Sequence, residues 1–133
     1  MCALRKARIF MELPTYFSDF LAEIRPSEDE RERFKTAHRR LRERLQQDEE
    51  LSDLLVSLFL QGSYRRSTAL RNSGRSRPDV DVVAVTTMDP QRYPPEKAMI
   101  PFHRFLREHY PRQWQTQGRS LGITDTDLDV DLD

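Results

Sequence analysis

Three groups of residues have the types and spacing for phosphate and metal chemistry. Gln61-Gly62-Ser63 follows the apolar run LLVSLFL directly. Glycine lets a backbone come close to a ligand, and adjacent N–H groups with the Ser63 hydroxyl can hold phosphate oxygens. Asp79-Val80-Asp81 opens a second apolar run, DVDVVAVT. Side chains two apart in a strand project from one face, so both carboxylates point together. Two such carboxylates repel unless a cation sits between them, and Mg²⁺ is the natural candidate. Asp129, Asp131 and Asp133 alternate in the same way. Any one of them, added to Asp79 and Asp81, makes an acidic triad able to hold two divalent ions. Two metals on a triphosphate activate an attacking hydroxyl and stabilise leaving pyrophosphate, the chemistry of in-line nucleotidyl transfer.

Each group has a plainer reading alone. Gly-Ser before a polar stretch is usually a turn, Asp-x-Asp a solvated strand edge, and alternating aspartates an acidic tail. Val82, Val83 and Val85 change the weighing, because a strand with a buried flank makes unpaired charge expensive. The three groups in this order favour the chemical reading.

Charge distribution agrees. The 133 residues carry 22 basic and 22 acidic groups, which argues against a nonspecific nucleic-acid binder. Nineteen of the basic residues are Arg, suited to bidentate phosphate contacts. Residues 61–77 hold five Arg and no acid, while 125–133 hold five Asp and no base. The arginine-rich stretch could add positive charge around phosphates. A single cysteine, Cys2, excludes an internal disulfide framework. No apolar run approaches the roughly 20 residues needed to span a bilayer, so a soluble, cytoplasmic protein is expected.

The elements that must position these groups can be read in turn. Residues 1–12 look like a leader, with Met11 an alternative start. Phe17, Phe20, Leu21 and Ile24 predict a short amphipathic helix over 13–24. Ser27 and Glu30 form a capping-box pattern for a helix over 28–47, with Phe34, Ala37, Leu41 and Leu45 on its apolar face. Strands are predicted over 56–60, 79–86, 113–117 and 128–133. A helix is expected from Pro95 to about Tyr110, with Pro101 bending or delaying it. Residues 61–77 read as a loop, or a helix start followed by one. His38 and Trp114 read as packing residues, and His103 and His109 are awkwardly spaced for a shared metal.

The order Gly-Ser, then Asp-x-Asp on a strand, then a further strand Asp resembles the polymerase-β-like nucleotidyltransferase superfamily. IRPSEDERERFKTAHRRLRERL, FLQGSYRRSTALR, RPDVDVVAVT and QGRSLGITDTDLDVDLD resemble one branch more closely. That branch is the bacterial cyclic-oligonucleotide synthases, the cGAS-like CD-NTases or SMODS nucleotidyltransferases of CBASS anti-phage operons. The resemblance covers about 13–133. It implies an α+β fold, a mixed sheet flanked by helices. It implies Mg²⁺-dependent joining of NTPs, ATP among them, into a cyclic di- or trinucleotide second messenger that activates a downstream effector. Two Mg²⁺ are implied, with Mn²⁺ as the substitute, and a regulatory protein encoded nearby is a further implied partner. No membrane partner is expected, and DNA contact is left open.

Carried onto this sequence, Gly62 and Ser63 match the phosphate-binding pair, preceded by Gln61. Asp79 and Asp81 match the metal-binding aspartates. Aligning Val130-Asp131-Leu132 on the family's hydrophobic–Asp–hydrophobic strand favours Asp131 as the third carboxylate, with Asp133 second and Asp129 third. The Ser63-to-Asp79 spacing exceeds the superfamily minimum through residues 72–77, which implies an enlarged loop. Family members are much longer, so 13–133 is expected to be the N-terminal part of a catalytic domain, lacking a C-terminal helical half and inactive alone. Two other readings remain: a linear nucleotidyltransferase modifying protein or tRNA, as in toxin–antitoxin pairs, and a non-catalytic nucleotide sensor.

Overall fold

Ser27 fixes the start of the longest helix. Its hydroxyl accepts the Glu30 N–H at 3.2 Å, while Glu30 Oε2 accepts the Ser27 N–H at 2.7 Å, the reciprocal pattern of a capping box. The computed structural model describes residues 13–72 and 77–133. In chain order it contains α1 (Leu13–Ile24), α2 (Glu28–Gln47), α3 (Glu49–Ser52), β1 (Leu55–Gln61), α4 (Gly62–Arg65) and β2 (Asp79–Thr86). There follow α5 (Pro95–Ala98), α6 (Ile100–His109), β3 (Trp114–Gln117), β4 (Ser120–Asp125) and β5 (Val130–Leu132). The expected leader lies outside the described residues, as do residues 73–76 of the expected loop.

The strands form one mixed sheet in the order β1-β2-β5-β4-β3. β2 pairs antiparallel with β1 and parallel with β5, so the last strand in sequence lies inside the sheet. β5 in turn pairs antiparallel with β4, and β4 with β3. Strand alternation then sorts the side chains. Val80 and Leu132 are buried register partners on one face, packed with Ile123 against Phe34, Ala37, Leu41 and Leu45 of α2 and Phe105 and Leu106 of α6. Asp79, Asp81, Asp131 and Asp133 must therefore share the opposite face. Burying one face is what makes the register firm, because a slip of one residue would send Val80 and Leu132 to solvent.

The mixed α/β architecture and most elements match the sequence reading. Three local differences have physical causes. Pro101 sits in the first turn of α6, where its missing N–H costs nothing, so the expected helix over 95–110 becomes α5 and α6. β4 was not anticipated: it has only Leu121 and Ile123 as apolar alternation, interrupted by Gly122. Gly118, at φ +59, takes the first position of the two-residue β3–β4 turn, which favours glycine. The last strand begins at Val130 rather than Leu128, because Asp129 adopts φ +53 and leaves the extended region.

His38 is buried with its ring 5.5 Å from that of Tyr64, and His103 packs on Trp114 at 5.0 Å, so these histidines serve packing. α1 is tied to the body at its C-terminal end, where the Arg71 N–H donates to Ile24 O at 2.6 Å. Its Phe17, Phe20 and Leu21 are exposed. No helix among the described residues is long and apolar enough to cross a membrane.

Candidate active site

One end of the β1–β2 ladder, where β1 finishes and β2 begins, delivers the first groups. Gln61, the last residue of β1, lies opposite Asp81 in the antiparallel register. Gly62 follows at φ +77, a left-handed conformation that favours glycine. A Cβ built on Gly62 would land on Asp81 Oδ2, so both its conformation and its surroundings demand glycine. Ser63 is half-buried in α4, and its carbonyl accepts the Thr68 N–H at 2.9 Å, folding the chain back after the Gly-Ser pair.

The parallel pairing of β2 with β5 delivers the third carboxylate. Asp79 is opposite Asp131 and Val80 opposite Leu132. The Asp133 N–H donates to Val80 O at 3.1 Å, and Asp133 O accepts the Val82 N–H at 2.7 Å. That continues the ladder one rung and sets Asp133 beside Asp81. Carboxylate oxygens of Asp79, Asp81 and Asp133 all lie within 4.8 Å of one another.

Asp131, ranked first for the third position, is not in this group. Its Oδ2 lies 3.1 Å from Arg77 Nε. The other terminal aspartates are engaged too: Asp129 by Arg77 at 2.7 Å and Arg33 at 3.6 Å, and Asp125 and Asp127 by Arg40 at 3.8 and 3.6 Å. Among the described residues Asp133 alone of the five faces no arginine. Of the arginines of 61–77, Arg66 lies near enough to Asp81 to favour its charge, while two others have partners of their own. Arg77 holds aspartates, and Arg71 donates to the Arg25 and Ala22 carbonyls at 3.2 and 3.4 Å. Arg75 lies outside the described residues.

Like charge is crowded in the triad. Burial pushes the Asp81 carboxyl above its ordinary value, and the neighbouring charges of Asp79 and then Asp133 push it further, against a smaller opposing effect of Arg66. Asp133 Oδ1 is buried and accepts no hydrogen bond among the described residues. Three convergent carboxylates, one with an unpartnered buried oxygen, are a hard-oxygen donor set suited to a divalent cation such as Mg²⁺.

Residues 11–133 match the family described as the Second Messenger Oligonucleotide or Dinucleotide Synthetase domain, SMODS. The chain belongs to the SMODS family. It is 52% identical over 122 residues to a cyclic AMP-AMP-GMP synthase of Enterobacter hormaechei subsp. hoffmannii, covering 92% of this chain and 32% of that protein. It is 48% identical to a probable cyclic AMP-AMP-GMP nucleotide synthase of Salmonella paratyphi B, with the same coverage. A cyclic AMP-AMP-AMP synthase of an Acinetobacter species is 40% identical, over 87% of this chain and 35% of that one. The chain thus spans about a third of the length of the curated relatives it matches.

Among solved structures, CdnC of E. coli MS115-1 with ATP superposes with a TM-score of 0.68 at 20% identity, covering 90% of this chain and 38% of CdnC. The Cid1 poly(U) polymerase superposes at 0.58 with 19% identity, covering 92% and 37%. At these identities the likeness is one of fold, and it bears out the expected α+β core of a mixed sheet flanked by helices.

Two cavities adjoin the triad of this SMODS chain. One, of about 550 Å³, is lined by Gln61, Gly62, Asp81 and Asp133 together with apolar residues such as Phe102 and Leu121. The other, of about 410 Å³, is lined by Asp79, Asp131 and Asp133 with Arg77, Trp114 and Thr124. Asp133 lines both.

Proposed function

We propose that this chain supplies the phosphate- and metal-binding part of an enzyme that joins NTPs into a cyclic oligonucleotide. The observation that carries the reading is the convergence of Asp79, Asp81 and Asp133 beside Gly62. A SMODS chain with this donor set offers the metal-holding part of what nucleotidyl transfer requires. The relatives' names favour ATP and GTP as the substrates. The third carboxylate is assigned to Asp133, whose oxygen is unpartnered, and not to Asp131, which Arg77 neutralises.

Two Mg²⁺ held by these carboxylates would supply the Lewis acidity that activates an acceptor hydroxyl and stabilises departing pyrophosphate. The chain's own residues do the rest. Gly62 and Ser63 offer N–H groups and a hydroxyl to the triphosphate, and the missing Cβ at Gly62 leaves the oxygens of Asp81 room beside it. Two cavities meeting at Asp133 suit a donor and an acceptor nucleotide that must meet at one reacting phosphorus. There the acceptor oxygen bonds to the α-phosphorus as the bond to pyrophosphate breaks. A nearby-encoded regulatory protein fits the CdnC structure solved as a HORMA complex. Action in the bacterial cytoplasm in anti-phage defence fits the NTP substrates.

Because Cid1, a poly(U) polymerase, shares the fold, product analysis is decisive. Full-length protein with Mg²⁺ and labelled ATP and GTP should give a small phosphatase-resistant product. That product should fall by about 10³-fold or more in Asp79→Ala/Asp81→Ala. Label on a macromolecule or in a linear chain would support the linear reading, and nucleotide binding without pyrophosphate release would support the sensor. Either result would reject cyclic synthesis.

A further inference from the structure

In the parallel β2–β5 register Asp79 is opposite Asp131, and the backbone hydrogen bonds of Asp133 with Val80 and Val82 set Asp133 beside Asp81. Arg77 lies two residues before Asp79, against the left-handed turn at Asp129 that leads into β5. Its planar guanidinium uses the edge that carries Nε and Nη2: Nη2 reaches Asp129 Oδ1 at 2.7 Å, and Nε reaches Asp131 Oδ2 at 3.1 Å. Asp131 is only half-buried and sits one strand spacing from Asp79, about 5 Å. Unpaired, it would be a fourth carboxylate on the same two rungs, equally able to approach a cation. The strand pattern cannot separate Asp131 from Asp133, since both have the same parity. The guanidinium does.

We propose that Arg77 is the positioning residue that decides which aspartates bind metal: by occupying Asp131 it leaves Asp79, Asp81 and Asp133 as the ligand set. This rests on the metal-binding reading above. Arg77 acts through Asp131 and touches none of the three ligands in the structure. Lysine is a poor substitute, because one ammonium cannot span Asp129 and Asp131 as a fork does.

The test is a Mn²⁺ titration of the full-length protein, reading free Mn²⁺ by electron paramagnetic resonance. High salt screens charge effects acting through solvent. Asp133→Asn should weaken Mn²⁺ binding by about tenfold or more, in the range of lost metal-site groups. Asp131→Asn should change it by less than about twofold in the wild-type background. With Arg77→Ala, Asp131 is released, and Asp131→Asn should now weaken binding by about threefold or more, a coupling expected of contacting residues. Arg77→Lys should give a smaller coupling, and it serves as the second background should Arg77→Ala fold poorly. Equal effects of Asp131→Asn in all backgrounds overturn the role of Arg77. So does an Asp131→Asn loss in the wild type as large as that of Asp133→Asn. Absence of Mn²⁺ binding by the wild-type protein instead overturns the metal reading, and this inference with it.

Discussion

Two clusters of carboxylates in this molecule share a residue type and have opposite fates. At the α2–α3 junction, Arg104 Nη2 donates to both oxygens of Asp48 at 2.7 Å, Nε to Glu50 at 2.8 Å and Nη1 to Glu108 at 3.1 Å. Asp48 Oδ1 also accepts the Glu50 and Leu51 N–H groups and so caps α3. Burial works against the charge of Asp48, but the Leu51 N–H, Arg104 and the Glu50 N–H outweigh it and hold the carboxyl below its ordinary value. At the β2–β5 face, burial and like charges push Asp81 up, and Asp133 Oδ1 has no hydrogen-bond partner among the described residues. A satisfied cluster holds a fold together. A frustrated one costs stability, and on the proposed reading a bound cation would relieve that cost.

The largest break in that contrast should come from Gly62→Ala. The new methyl would meet Asp81 Oδ2 and the backbone would be held at φ +77, so the triad must shift. A displacement of about 1 Å at a reacting centre can cost about 10²-fold in rate. Cyclic product from full-length protein should fall by about that much, with far-ultraviolet circular dichroism unchanged. Activity within about twofold of wild type would show that Gly62 does not set the site's geometry. No comparable glycine borders Asp48 among the described residues.

Stability should separate the clusters next. Asp48→Ala removes the α3 cap and leaves Arg104 without its most buried partner. It should cost about 1 kcal/mol and lower the melting temperature by about 3–5 °C. Asp81→Asn should do the reverse in metal-free protein, raising the melting temperature by a few degrees as like-charge repulsion is relieved, while abolishing Mn²⁺ binding. Thermal melts in chelator test both. A fall with Asp81→Asn as large as that with Asp48→Ala would erase the distinction.

The sequence spoke unevenly about these regions because of how far each signal reaches along the chain. The capping box of Ser27 and Glu30, the stripe of Phe34, Ala37, Leu41 and Leu45, and the valines of β2 are local signals, and each element formed where they placed it. Local signals likewise placed Gln61, Gly62 and Ser63 just past an apolar strand and Asp79 and Asp81 at the start of the next, and they stand there in the fold. β4 was not, because Ser120-Leu121-Gly122-Ile123 has too little alternation to announce a strand, and its burial comes from neighbours β3 and β5. The third carboxylate was least legible. Asp129, Asp131 and Asp133 present one period, and choosing among them needs the register against β2, the left-handed turn at Asp129 and the reach of Arg77. All three are tertiary facts. An Arg two residues before the Asp-x-Asp was the one available hint.

The smallest effect, and the sharpest in sign, is the pH dependence of the metal-free fold. Asp81 has a folded pKa raised above the ordinary 3.8, so the native state binds more protons than the unfolded state between those two values. Stability should therefore fall as pH rises from about 3.8 through the raised value. Asp48 is depressed below 3.8. Its contribution is complete above that pH and is lost as pH falls through its folded value. Melting curves of wild type, Asp48→Asn and Asp81→Asn across acidic and neutral pH, in chelator, should resolve both. Asp81→Asn should flatten the decline above 3.8 and leave the acid limb, and Asp48→Asn should do the opposite. Saturating Mn²⁺ should reverse the wild-type slope above 3.8, because a bound cation favours the ionised carboxylate. Identical pH profiles for the two variants would mean that the clusters differ in position alone and that the β2–β5 face is not electrostatically set apart for a cation.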